Sequence, residues 1–191
     1  MIRKAFKHFF LVLRHKRAVF IHCAKCGIPF RGLVHDLSKF SPTEFFESIK
    51  YYHGARSPLA VCREQKGMSM AWLHHKGRNR HHLEYWVDED CKIPPLVPYK
   101  FAVECVCDKL AATKIYRGKD YKPEMALAHF LRYGNKVHTN ERSLAFIERV
   151  FTDLCELGED AVLNKKYMKK TYAAVCLGAT EERKDENEAV G

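Results

Sequence analysis

Apolar positions recur along the chain at helical spacing in several segments, and these are joined by short stretches rich in glycine, proline or charge. The first segment, about Ile2 to Cys26, repeats apolar residues through Phe6, Phe9, Phe10, Leu13, Phe20 and Ile21, with basic residues between them. That period predicts an amphipathic helix whose apolar stripe packs on a core rather than on a membrane surface. Gly27 and Pro29 end it. Ser41-Pro42-Thr43-Glu44 is a helix-start signature, with proline at the first helical position and a glutamate three residues past the serine. It predicts a helix to about Tyr52.

Gly54, Pro58 and Gly67 mark a surface loop. A further helix follows Ser69 and carries Trp72 through Trp86, weakened locally at Gly77. Pro94, Pro95 and Pro98 make Cys91 to Pro98 a connector. Tyr99 to Tyr116 is helical again, Pro123 opens a helix to about Tyr133, and Thr139 or Asn140 caps one to about Leu157. A last helix follows Gly158 and ends near Leu177. No strand-rich region or internal repeat interrupts this series. The expected fold is all-α, a single-domain helical bundle over residues 1–178, followed by a disordered acidic tail over 179–191.

A length of 191 residues suits one domain with a substantial core, and 47% hydrophobic with 29% charged residues is ordinary for a soluble globular protein. The formal charge is +10; the stretch from Glu181 to Gly191 holds five acids and two bases, so the rest of the chain carries +13. Such a body attracts phosphorylated small molecules or polyanions. Nucleic acid is compatible but not favoured, because no zinc finger, RNA-binding aromatic signature or basic zipper is present. The run Phe9 to Leu13 is too short to span a bilayer and is cut off by Arg14, Lys16 and Arg17. No cleavage site of small residues follows it. The expectation is a cytoplasmic protein with no membrane partner, and a homodimer is compatible with the composition. Of the eight cysteines, Cys23 and Cys26 form a Cys-x-x-Cys and Cys105 and Cys107 flank Val106. Reduced buried thiols are the better reading; a four-cysteine zinc site is the weaker one.

The candidate chemistry centres on Val34-His35-Asp36-Leu37-Ser38-Lys39-Phe40. An adjacent imidazole and carboxylate can both reach a cation where the chain is still turning at a helix start, and the donor pair suits Mn, Fe, Co, Ni or Zn. Lys39 falls one turn on and can meet a phosphate. His74, His75, Asn79, His81 and His82 lie within nine residues, with His75, Asn79 and His82 on one helical face and His74, Arg78 and His81 on the next. Trp72, Tyr85 and Trp86 would wall a site there. Glu104 and Asp108 are one turn apart on an otherwise apolar helix, where an unpaired acid is costly. His15 or His22 offers a ligand from the first helix.

In that order, the residues resemble the HD-domain superfamily of metal-dependent phosphohydrolases. More closely, His35-Asp36-Leu37-Ser38-Lys39, Asn79-Arg80-His81-His82 and Glu84-Tyr85-Trp86 resemble an uncharacterised bacterial and phage family, the domain of unknown function 5662. The superfamily resemblance implies His15 as first ligand, His35 and Asp36 as the named pair, His75 with one or both of His81 and His82 as middle ligands, and Asp108 as last. It also implies one or two divalent transition-metal ions and a bridging Asp36. Two features depart from it: the twenty residues from His15 to His35 are a short gap, and the middle histidines crowd onto one predicted helix. The expected function is hydrolysis of a phosphate ester, on a nucleotide or another small phosphorylated substrate, with Asp36 at the metal and Lys39 and Arg78 neutralising charge on the phosphoryl oxygens. The alternatives are a di-iron oxygenase and a non-catalytic module that binds metal or nucleic acid.

Overall fold

The computed structural model describes residues 2–88, 90–134 and 136–179. All regular structure among them is helical: α1 (Ile2–Lys25), α2 (Pro29–Val34), α3 (Pro42–Tyr51), α4 (Pro58–Lys66), α5 (Met70–Arg78), α6 (Tyr99–Arg117), α7 (Pro123–Gly134), α8 (Glu141–Leu157), α9 (Glu159–Val162) and α10 (Lys165–Leu177). Short 3-10 turns cover Leu37–Phe40, Leu83–Trp86 and Gly118–Asp120. The tail expected over 179–191 lies, from residue 180 on, outside the described residues.

The helix starts follow their capping chemistry. Ser41 Oγ accepts from Glu44 N, Ser69 Oγ from Trp72 N, Asn140 from Arg142 N and Asn164 from Tyr167 N. α6 is buried along every residue from Phe101 to Cys107 and again at Leu110 and Ala111, as a helix apolar on all sides must be. It packs against α1 and α2 on one side and α7, α8 and α10 on the other. The larger core lies on the α8 side around Phe130, Phe146, Ile147, Phe151 and Leu154. The cysteines are all free.

Four points go against or beyond the expectations from the sequence. The segment read as a loop around Pro58 forms α4, with Pro58 at its start and Gly67 in the left-handed region at its end. The stretch between Gly27 and His35 forms α2. It lies so close on α1 that a Cβ at Gly32 would stand 2.7 Å from Phe20 Cα, so only glycine fits there. The helix expected from Ser69 through Trp86 stops at Arg78, where the Asn79 side chain donates to His75 O at 2.8 Å and caps the last turn. The fourth point is the orientation of α1. Its inner face is His8, Val12, His15, Val19, His22 and Cys23, while Phe6, Phe9, Phe10, Leu13, Phe20 and Ile21 all face outward. The imidazoles, spaced seven apart, point into the interior, where His15 meets Asp108, and the aromatic stripe is left on the surface.

Candidate metal centre

The turn after α2 sets the geometry. Asp36 has φ 51°, the one non-glycine residue in the left-handed region among those described. α2 ends at Val34, and the Lys16 ammonium on α1 donates to the carbonyls of Leu33 and His35. This pins the end of α2 to α1 while the chain reverses, so that His35 and Asp36 both aim inward and are at most 1% exposed.

Around them two four-donor groups form, each with its atoms within 4.8 Å of one another, beside a third group of His35, His81 and Glu104. One is His15, His35, Asp36 and Asp108; the other is Asp36, His75, His81 and His82. Asp36 belongs to both. His15 Nε2 is 2.9 Å and His35 Nε2 3.4 Å from Asp108 Oδ1, and His35 Nε2 is 3.2 Å from Asp36 Oδ2. His75 Nε2 and His81 Nε2 each stand 3.5 Å from Asp36 Oδ1. The break after α5 brings His81 and His82 to this point. They lie on the turn beyond Asn79, not on the helix of His75, so the middle histidines come from two elements.

Behind the imidazoles sit two buried carboxylates. Glu104 on α6 accepts from His35 Nδ1 at 3.0 Å and from Arg31 Nε at 2.8 Å, with His81 Nδ1 at 3.4 Å. Glu44 on α3 accepts from His75 Nδ1 at 2.8 Å and His74 Nδ1 at 2.7 Å. A carboxylate against Nδ1 of His35 and of His75 turns each ring so that Nε2 faces Asp36, the arrangement that orients histidine ligands. Facing the centre, His35 Nε2, both Asp36 oxygens, His81 Nε2 and His82 Nε2 are buried without a hydrogen bond of good geometry. Buried polar atoms are normally paired, and this concentration of unpaired atoms is one that a cation would satisfy.

The local charges respond strongly to one another. Burial disfavours ionisation of Asp36, yet His35, Lys39 and His75 hold its carboxyl well below the usual range. Burial likewise opposes charge on His35, but Asp36, Asp108 and Glu104 hold its imidazole well above its ordinary value. His15 is pushed down to about 4 by burial and by Lys39, against Asp108. His82 is held well below the ordinary value by burial and by His81 and His75. Glu104 overcomes its burial through bonds from His35, His81 and Arg31 and falls to about 2.

All seven predicted ligands, His15, His35, Asp36, His75, His81, His82 and Asp108, thus meet in one place. Lys39 Nζ stands 2.7 Å from Asp36 Oδ2. Arg78 does not join them: it is exposed at the end of α5 and outside the lining of the adjoining cleft, so the charge-neutralising role expected of it has no geometric basis. His22 turns to Cys107 O at 3.4 Å instead, and His74 is taken up by Glu44. Glu44 was hidden in the sequence behind its place in a helix-start signature, and Arg31 carried no signal at all. A cleft of about 470 Å³ opens onto the centre, with Lys39, Arg63, Lys109, Arg132 and Lys136 among its lining.

The order of motifs on this chain finds a match across most of its length. The chain belongs to a family of unknown function, DUF5662. The match spans residues 4–153, so it takes in every residue of the centre and the helices that carry them. No curated protein and no solved structure matches the chain.

Proposed function

We propose that this DUF5662 protein holds two divalent transition-metal ions bridged by Asp36 and hydrolyses a phosphate ester of a small phosphorylated substrate. The observation that carries the reading is the sharing of one buried carboxylate between two four-donor groups, in which His35 Nε2, both Asp36 oxygens, His81 Nε2 and His82 Nε2 lack hydrogen bonds. The donor set of imidazoles and carboxylates fits Mn, Fe, Co, Ni or Zn. The order His15, His35-Asp36, the middle histidines and Asp108 is also that of the HD-domain phosphohydrolases, and the turn after Asn79 removes one of the two departures from them.

Bound cations would supply Lewis acidity toward a phosphoryl oxygen and would acidify a water. The remaining chemistry belongs to the chain. Lys39, charged beside Asp36, would turn to the substrate where bound cations neutralise that carboxylate. The Lys39 ammonium then compensates charge growing on the phosphoryl oxygens. The basic side chains along the cleft attract the anionic substrate, and Trp72 and Tyr133 close its walls against water.

The test is release of inorganic phosphate from a panel of nucleotides and simple phosphate esters by protein stripped with chelator and reloaded with each metal. The reading predicts release that requires the cation and is lost in Asp36→Asn. Cation-loaded protein that releases no phosphate from any ester, or that consumes O₂ instead, would contradict it.

A further inference from the structure

The outward face of α1 has no task in the centre. Ile2, Phe6 and Phe10 are 76%, 61% and 63% exposed, and they follow one another at one-turn spacing, with Leu13 continuing the stripe. The helix cannot turn to bury them, because its opposite face carries His8, His15 and His22 into the interior. α2 lies against the same helix, through Gly32 on Phe20 and Lys16 on the Leu33 carbonyl, and adds exposed Phe30 and Leu33 beside it. So much large apolar surface on one side of a folded chain marks an interaction site.

Its charge selects the occupant. Arg3, Lys4, Lys7, Arg14 and Arg17 are exposed around the stripe, and none of the 24 residues of α1 is an acid. A second copy docking through this face would set like charges against each other with no acid on either helix to pair them. A nucleic acid would satisfy the bases and leave Ile2, Phe6 and Phe10 in water. An anionic bilayer surface satisfies both: its phosphates meet the bases while the apolar stripe enters the headgroup boundary. No helix among the described residues is long and apolar enough to cross a membrane, so α1 would lie on such a surface rather than span it. We propose that the outward face of α1 docks the protein on anionic phospholipid bilayers.

Co-sedimentation of the full chain with vesicles tests this. One set is pure phosphatidylcholine and the other an equimolar mixture with phosphatidylserine. The proposal predicts binding to the mixed vesicles, weak binding to the neutral ones, and weakening as salt rises. Phe6→Ser with Phe10→Ser would reduce binding about tenfold or more, and Lys7→Glu with Arg14→Glu would also reduce it. These positions are exposed, so helical content by circular dichroism and the metal content should match the wild type. Failure to bind mixed vesicles would overturn the proposal. So would equal binding by the Phe6→Ser, Phe10→Ser variant, which would leave only the general positive charge. A dimer in light scattering that this variant dissolves, with no vesicle binding, would assign the face to a second copy instead.

Discussion

Asp36 and Lys39 form a 2.7 Å ion pair at the mouth of the centre, and the two are separable in their tasks. Lys39 donates no metal-binding atom; burial opposes its charge, but Asp36 and Asp108 hold its ammonium above the usual lysine range. Lys39→Met should therefore keep the metal content, while phosphate release falls about a hundredfold or more, the usual cost of losing a preorganised charge. Loss of metal in that variant, measured by elemental analysis, would make Lys39 structural. Glu104 acts through the imidazoles of His35 and His81 without touching substrate. Glu104→Gln leaves a neutral group opposite Arg31 and His35, and metal binding by titration should weaken about 10- to 100-fold while the helical content stays. Unchanged affinity would remove its positioning role. At this scale the sequence was most legible: the seven residues that converge were readable from the His35-Asp36 pair, the histidines crowded between 74 and 82, and the polar His15 and Asp108 on otherwise apolar helix faces. The two carboxylates behind them were less so. Glu44 satisfies a local helix-start pattern, and which side of α6 Glu104 faces depends on a partner on α2, far away in sequence.

Among the elements, α1 shows why periodicity alone misplaces a face. Its strongest apolar stripe is outward, while the inner face carries a stripe of imidazoles, of which His15 reaches Asp108 on α6. The inner face has a pH signature. His8 is 5% exposed, packed on the rings of Phe45 and Tyr52, and burial with Lys39 pushes it down to about 4 from an ordinary 6.5. Between those values the unfolded chain binds a proton that the folded chain refuses, so stability rises with pH across that window and is lost as pH falls from 6.5 toward 4. His15, also pushed to about 4, and His22, pushed down by burial, act in the same sense. Each such group steepens the dependence by up to about 1.4 kcal/mol per pH unit. His8→Leu should flatten the slope in urea denaturation between pH 6.5 and 4. An unaltered slope would mean that His8 is protonated in the folded state. α5 teaches a second lesson. Its histidines read as two stripes of one long helix, and the cap made by Asn79, invisible to period counting, folds His81 and His82 back toward Asp36.

For the whole molecule, the all-helical architecture followed from the repeated apolar period and the capping residues. What the chain could not announce was the convergence of α1, the turn after α2, α5, the turn after Asn79 and α6 on one carboxylate. Such contacts link residues up to 93 apart in sequence, as between His15 and Asp108. Because the centre ties these elements together, a bound cation stabilises the fold by mass action, by about 2.7 kcal/mol at a free concentration a hundred times its Kd. Chelator should lower the thermal midpoint and added metal restore it; a midpoint indifferent to both would separate the centre from folding.

The central claim is that Asp36 is shared by two cations. Asparagine also tolerates the left-handed backbone at this position, so Asp36→Asn removes the charge and keeps the turn. The most direct test is the metal content by elemental analysis of protein purified without chelator or histidine tag, alongside that variant. The account predicts two transition-metal ions per wild-type chain and a loss of both in Asp36→Asn with helical content intact. Wild-type protein that carries no metal and takes up none when it is supplied would contradict it.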